Sequence, residues 1–329
     1  MLDNVFKRYA NNVFLLTCLK IPITLKIAHI INPFNGSAQH ISMQDITFES
    51  LKRAKEYATN CEVELVSTHY AEDETVVPSY ITKKVVLIKS VLDYNKKLSK
   101  RLLPTLKDIL TNSIAATDAD YIVFTNIDIG VQQNFYQTVK EIIGQGHDAF
   151  VINRRRIGEQ YQSTAQLNQI YANAGELHNG YDCFVFKKEL FSQFQLGNVC
   201  IGIPHVGNTL FFNLMCFAKS FRLCANKHLT FHIGYDLVRP WGSQEFLNHN
   251  KTEYKKVIAA LKQHLTIKNV PGSGLPFFKR HLKWLMNPTI HYPTVAALDF
   301  KSFNAERYKQ SGKKPKGYYE WMQKKVKLD

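Results

Sequence analysis

One ten-residue stretch, Tyr121-Ile-Val-Phe-Thr-Asn-Ile-Asp-Ile-Gly130, limits the possible folds of this chain more than any other. Its first five residues, Tyr121 to Thr125, carry no charge and follow the acidic turn Asp118-Ala119-Asp120. A run this short and free of charge predicts a strand buried on both faces, the kind found inside α/β sheets. It ends in two oxygen-bearing side chains. Asn126 and Asp128 are two apart, so in extended chain both point to one side, at the carboxyl end of the strand where open α/β sheets bind ligands. Such oxygens suit a hard divalent cation that shares its other positions with phosphate and water. The structural alternative is a strand followed by an Asn-x-Asp turn, since both residues favour turns.

The bulk properties narrow the class. At 329 residues with 45% hydrophobic content, the chain can bury one large α/β core plus an appendage, and disorder throughout is excluded. Six cysteines (Cys18, Cys61, Cys183, Cys200, Cys216, Cys224) lie scattered without a Cys-x-x-Cys pair, and read as reduced core residues of a cytoplasmic protein. Val13 to Leu19 is apolar, but Lys20 and Pro22 stop it well short of the roughly 18 residues of a membrane span. A signal peptide would need a longer apolar region and a small-residue cleavage site. The net charge of +15 points to an anionic partner: a phosphorylated donor, an acidic glycan, a lipid head group or nucleic acid.

Along the chain, Leu25 to Ile31 reads as the first core strand, ending in the loop Asn32-Pro33-Phe34-Asn35-Gly36-Ser37, where a nucleotide base can rest. That loop lacks the glycines of a phosphate cradle, which counts against a P-loop enzyme or a sugar nucleotidyltransferase. Thr47 to Ala58 has the spacing of a helix and Glu62 to Val66 reads as a second strand, followed by Glu72-Asp73-Glu74. Beyond the basic segment Lys96 to Arg101, Pro104 opens a helix with Leu106, Ile109, Leu110 and Ile114 on one face. Asn134 is expected to cap the next helix, which Gly144 closes.

Ala149 to Asn153 then runs into Arg154-Arg155-Arg156. Three arginines at a strand end are costly to bury unpaired and suit phosphate or an acidic acceptor, which the guanidinium fork grips in bidentate fashion. A helix around Leu167, Ile170 and Tyr171 follows, and after the expected glycine turn at Gly180, Asp182 opens the strand Cys183 to Phe186. Asn208 is a candidate cap for a helix through Met215. Ser220 to Ala225 and Leu229 to His232 make the last core strands.

A buried strand ending in an Asp-x-Asp-like pair, preceded by two βα units and followed much later by a strand histidine, resembles the nucleotide-sugar glycosyltransferases of the GT-A fold. The resemblance covers about Leu25 to Tyr235 and implies a Rossmann-like mixed, mainly parallel α/β sheet flanked by helices. It implies a divalent metal, Mn2+ or Mg2+, held by Asp128 and His232 with Asn126 assisting. It implies a nucleotide-sugar donor near Pro33, Asp73, Arg101, Lys107, Asn126, Asp128 and Arg154. A glycan or lipid-linked acceptor would lie near Arg155, Tyr181 and Asn208, with Asp182 as general base. Two departures stand out. Asn126 replaces the usual first acid and brings no charge, which should weaken metal binding. Where most inverting members carry a Glu-Asp pair at the next helix, His205-Val206-Gly207-Asn208-Thr209 has no acid, so either Asp182 takes that role or configuration is retained.

The pattern changes after Tyr235. Thr252 to Leu265 reads as an amphipathic helix and Val270 to Gly274 as a linker-like break. From Pro276 onward twelve Lys and Arg face four Asp and Glu, interleaved with Phe277, Phe278, Trp284, Tyr308, Tyr318, Tyr319 and Trp321. Basic residues among aromatics suit a peripheral helix on an anionic membrane surface at the cytoplasmic face, and no motif for specific nucleic acid accompanies them. The expected organisation is a lead-in helix at 1–24, a nucleotide-sugar domain at 25–235 and a basic helical appendage at 236–329. The rival to a transferase is a catalytically inactive polyanion- or membrane-binding module on the same fold.

Overall fold

The computed structural model describes residues 24–99, 101–234, 243–287 and 290–311. The helix expected at the amino terminus and the aromatic residues Tyr318, Tyr319 and Trp321 therefore fall outside the described residues. The chain is mixed α/β, with a mainly parallel sheet flanked by helices. Its first half is β1 (Leu25–Ile31), α1 (Ala38–Tyr57), β2 (Cys61–His69), β3 (Lys83–Val86), α2 (Val91–Tyr94), α3 (Leu106–Ala115) and β4 (Tyr121–Thr125). There follow β5 (Ile129–Val131), α4 (Phe135–Gly144), β6 (Ala149–Ile157), α5 (Leu167–Ala172), β7 (Glu176–Lys187), α6 (Val206–Phe217), β8 (Phe221–Cys224) and β9 (Thr230–Ile233). Three helices complete it: α7 (Gln244–Leu261), α8 (Phe277–Leu285) and α9 (Tyr292–Ser311).

The strand order is β3-β2-β1-β4-β7-β6-β9-β5, with β8 paired to β6. The pairs among β3, β2, β1 and β4 are parallel, so these four form the 3-2-1-4 half of a doubly wound sheet. β7 is inserted antiparallel between β4 and β6, while β6 and β9 are parallel to each other. The carboxyl ends of β1, β2, β4, β6 and β9 and the amino-terminal half of β7 consequently share one edge.

Alternation explains why the central strands read as continuous apolar runs. Ala28 and Ile30 of β1, Ile122 and Phe124 of β4 and Phe184 and Phe186 of β7 enter one core with α3 and α6. Ile27 and Ile31, Tyr121 and Val123, and Cys183 and Val185 enter a second core with α1 and α4. Both faces are covered, so no position needs a polar residue. Tyr254, Val257, Ile258, Leu261, Trp284 and Val295 of the last helices join the first of these cores. Trp284 is fully buried, and its indole N–H donates to the Pro271 carbonyl at 2.8 Å.

Several elements differ from the sequence expectation for local reasons. α1 begins nine residues earlier than the apolar spacing suggests, because Ser37 and His40 form a reciprocal capping box over a polar first turn. Thr105 rather than Pro104 caps α3, its hydroxyl accepting from the Asp108 N–H at 3.0 Å. Asn134 makes no side-chain cap bond, and Gln145 rather than Gly144 is the cap that ends α4. α7 starts at Gln244 because polar side chains anchor its first turns. The Asn250 amide bonds Cys200 N and O, each at 2.9 Å, and Glu253 Oε2 accepts from Asn198 N at 2.9 Å.

Candidate active site

In the 3-2-1-4 half the chain order reverses between β1 and β4, and the crevice outside the carboxyl ends at such a point is where open α/β sheets place ligands. The loop after β1 forms one wall. Asn32 Nδ2 donates to the Thr68 carbonyl at 2.6 Å, Phe34 N to Gln44 Oε1 at 3.0 Å and Asn35 N to Asp73 Oδ1 at 2.7 Å. Asp73 is buried and tethers this loop, with buried Pro33 beside it. One carboxylate oxygen expected to meet a ribose or base is thus engaged by the backbone.

β4 is held against β1 by a buried network in which His29 Nδ1 pairs with the Tyr136 hydroxyl at 2.8 Å and Nε2 with Thr125 Oγ1 at 2.9 Å. Burial lowers the His29 pKa to about 3, so the ring is neutral and serves as a rigid strut. Directly after Thr125 the strand turns: Ile129 N donates to the Asn126 carbonyl at 3.1 Å. Residues 126–129 are therefore a β-turn, and the extended geometry expected to align Asn126 with Asp128 does not occur. The turn instead delivers Asp128 to the start of β5. Ser50 Oγ on α1 fixes β5 by accepting from Val131 N at 3.0 Å. Gly130 lets β5 lie on the Phe231 ring, which a Cβ would meet at 2.2 Å.

β5 pairs antiparallel with β9, setting Ile129 opposite His232. His232 Nε2 thereby lies 3.3 Å from Asp128 Oδ2. Its Nδ1 is 3.2 Å from the Gly234 carbonyl, which only accepts, so Nδ1 carries a proton. Nε2 then faces a carboxylate with either a second proton or a bare lone pair, and in the latter case a cation must sit between them. Asp128 Oδ1 is shut off from solvent and accepts no hydrogen bond. Burial raises the Asp128 pKa, but the His232 bond and the charges of His232 and Arg154 outweigh it and keep the carboxyl below its usual range.

β6 supplies the arginines from inside the strand, not past its end. Its pairing with β9 sets Arg154 opposite Thr230 and Arg156 opposite His232, so alternation places Arg154, Arg156 and His232 on one face and Arg155 on the other. Arg154 is buried and its Nη1 lies 2.9 Å from Asp182 Oδ2 on β7. Arg156 Nη2 bonds Glu176 Oε2 at 3.1 Å. Arg155 lies near enough to His228 to lower that ring's pKa, after burial as the larger cause.

The glycine turn expected before Asp182 is absent, for β7 is continuous from Glu176 to Lys187. Register shifts around Asn153 re-aim the pairing there. Buried Asn153 holds the irregularity, donating to the His178 carbonyl at 3.1 Å and accepting from Asn226 N at 3.1 Å. Asn153 was not legible as a site-forming residue, since one amide in an apolar strand carries no pattern. His178 was readable: four residues before Asp182 on one strand, it shares that face, with Nδ1 3.9 Å from Asp182 Oδ2.

The structure thus gathers Asp128, His232, Arg154 and Asp182, with Asn126 in the adjoining turn. It does not gather the other candidates. Tyr181 turns into the core and stacks on Phe211 with ring centroids 6.2 Å apart. Asn208 sits within the first turn of α6, capped instead by His205, to which the Asn208 side chain hydrogen-bonds. Arg101 and Lys107 are exposed, and among the described residues no hydrogen bond or ion pair links them to the cluster. Nor does a third carboxylate, imidazole or thiolate join Asp128 and His232 in a metal-holding group among the described residues. The five described cysteines are free thiols, and no described helix is long and apolar enough to cross a membrane.

No protein-family model and no curated protein matches this chain. Among solved structures it is similar to a mannosyltransferase, PcManGT from Pyrobaculum calidifontis in complex with GDP-Man and Mn2+, at 13% identity and a TM-score of 0.45, covering 98% of this chain and 92% of that one. It is also similar to S. aureus TarS 1-349 in complex with UDP-GlcNAc, at 10% identity and a TM-score of 0.40, covering 88% and 93%. A third is the 4-diphosphocytidyl-2C-methyl-D-erythritol synthase of Anaerococcus prevotii, at 10% identity and a TM-score of 0.35, covering 70% and 98%.

Proposed function

We propose that this chain is a glycosyltransferase that moves a sugar from a nucleoside-diphosphate sugar to a glycan or lipid-linked acceptor. The observation that carries the reading is the approach of Asp128 to His232, 3.3 Å apart, at the ligand-binding edge of a doubly wound sheet. The nucleoside would lie against the Asn32–Ser37 loop that Asp73 tethers. Arg154 adds a buried positive charge beside the diphosphate and orients Asp182 across β6 and β7. Asp182, on the acceptor side, takes the proton from the attacking hydroxyl.

The donor set suits a divalent ion, for an orphaned carboxylate oxygen and an imidazole aimed at that same carboxylate leave positions for phosphate oxygens. When bound by Asp128 and His232, with the Asn126 amide assisting, Mn2+ or Mg2+ supplies Lewis acidity to the diphosphate leaving group.

An anionic membrane surface is the partner we assign to α8. One face of that helix exposes Phe278 (84%), Leu282 (62%), Leu285 (61%) and Met286 (64%), flanked by exposed Lys279 and Lys283. A protein working there would meet lipid-linked acceptors at a cytoplasmic face.

The donor reading is tested by melting-temperature shifts with UDP-, GDP- and CMP-sugars, with and without Mn2+. We expect one nucleotide class to stabilise the protein in a Mn2+-enhanced manner, and the Asp128→Ala variant to lose that shift. No shift from any donor would favour a catalytically silent module.

A further inference from the structure

Asn153 on β6 is 4% exposed, and beyond the strand ladder three hydrogen bonds tie it to three separate segments. Its Nδ2 donates to the His178 carbonyl on β7, its Oδ1 accepts from Asn226 N in the turn before β9, and its own carbonyl accepts from Thr230 Oγ1 on β9, each at 3.1 Å. A backbone N–H only donates and a carbonyl only accepts, so these partners fix which end of the amide faces which strand. A carboxylate at this position cannot serve both.

The bond to His178 sits where β7 departs from regular pairing. From Ile152–Cys183 to Asn153–Tyr181, β6 advances one residue and β7 two; from Asn153–Tyr181 to Arg155–Leu177, β6 advances two and β7 four. β7 therefore carries Asp182 as an extra residue, and two more between Leu177 and Tyr181. Phe184 and Phe186 face the core with α3 and α6, so in an unbroken strand alternation would send Asp182 into that core. The bulge sends Tyr181 there instead and leaves Asp182 Oδ2 2.9 Å from Arg154 Nη1. Inside the looped-out stretch, the His178 carbonyl takes its bond from the Asn153 side chain.

We propose that Asn153 is a positioning residue for acceptor activation. Through the His178 carbonyl it holds the β7 bulge that turns Asp182 to Arg154. Through Asn226 it ties that bulge to the turn from which β9 delivers His232. This role rests on Asp182 acting as the base of the transfer proposed above. Asn153 acts only through the place it gives that carboxylate, and a misplacement of about 1 Å at a reacting group costs on the order of a hundredfold in rate.

Asn153→Asp is the test, since it keeps an acceptor for Asn226 N and loses the donor to His178. The neutral Asn153→Ser, too short to reach His178, is made beside it, so that a fold lost to the buried charge of the first variant leaves the second to decide. The full chain is studied by steady-state kinetics at varied donor and acceptor, by calorimetric titration with Mn2+, and by the crystal structure of a folded variant. The expected result is a kcat lower by about tenfold or more, with donor KM and Mn2+ affinity kept and the Arg154–Asp182 contact opened. Normal kcat in the folded variants, or a contact still closed in the crystal, overturns the role. A loss of equal size in Mn2+ affinity marks a general loosening of the sheet and overturns it too. Should the wild-type protein transfer no sugar from any donor, the base reading falls by itself, and the variant's crystal structure still decides whether Asn153 holds Asp182 in place.

Discussion

Asp128 Oδ2 and His232 Nε2 lie 3.3 Å apart although 104 residues of chain separate them, because β5 and β9 pair antiparallel one residue from the carboxylate. The Gly234 carbonyl takes the other imidazole N–H and so fixes which nitrogen faces Asp128.

Replacing His232 with Gln should lower Mn2+ affinity and reduce donor turnover about a hundredfold, the usual effect of removing one electrostatic contributor to a transition state. Isothermal titration with Mn2+ alone separates the two losses. Unchanged metal affinity in His232→Gln would remove the imidazole from the ligand set.

Asp182→Asn should cut kcat by about a hundredfold or more with little change in donor binding, the expected share of a general base. Arg154→Ala leaves Asp182 without its 2.9 Å partner and should weaken donor binding as well. Kinetics at varied donor and acceptor distinguish the two, and an Asp182→Asn enzyme with normal kcat would exclude the base assignment.

Stability should fall as pH drops from about 6.5 to about 3, in part through His29. Its folded pKa is about 3 against an ordinary 6.5, so in that window the unfolded chain binds a proton that the native chain refuses. One such group contributes a slope of about 1.4 kcal/mol per pH unit. His29→Gln can keep hydrogen bonds to Tyr136 and Thr125 but does not titrate, so denaturation midpoints measured across this range should show a shallower slope. An equally steep slope in the variant would place the titration elsewhere.

The exposed face of α8 should bind vesicles containing phosphatidylserine and leave neutral phosphatidylcholine vesicles alone. A Phe278→Glu, Leu282→Glu double variant should lose sedimentation with the anionic vesicles while keeping its melting temperature, because both side chains are already in water. Retention of binding would assign the contact to another surface.

The sequence by itself determined the buried strands and the identity of the central residues. β1 and β4 match their expected bounds residue for residue, because strands covered on both faces leave a nearly continuous hydrophobic signature, broken in β1 by Lys26 and His29. Asp128, His232, Arg154 and Asp182 were also legible, as polar groups at the ends of such runs. The tertiary structure alone decided how they meet. The turn at 126–129 replaced the expected extended chain, and a register shift held by Asn153 made Asp182 an interior strand residue paired to Arg154. Tyr181 went to the core with Phe184 because the register shift opposite Asn153 makes Asp182 an extra residue on β7 and so interrupts the alternation there. Periodicity is a property of neighbours in the chain, so it predicts which faces are buried. Pairing across strands depends on contacts between distant segments, and those are settled only when the sheet forms.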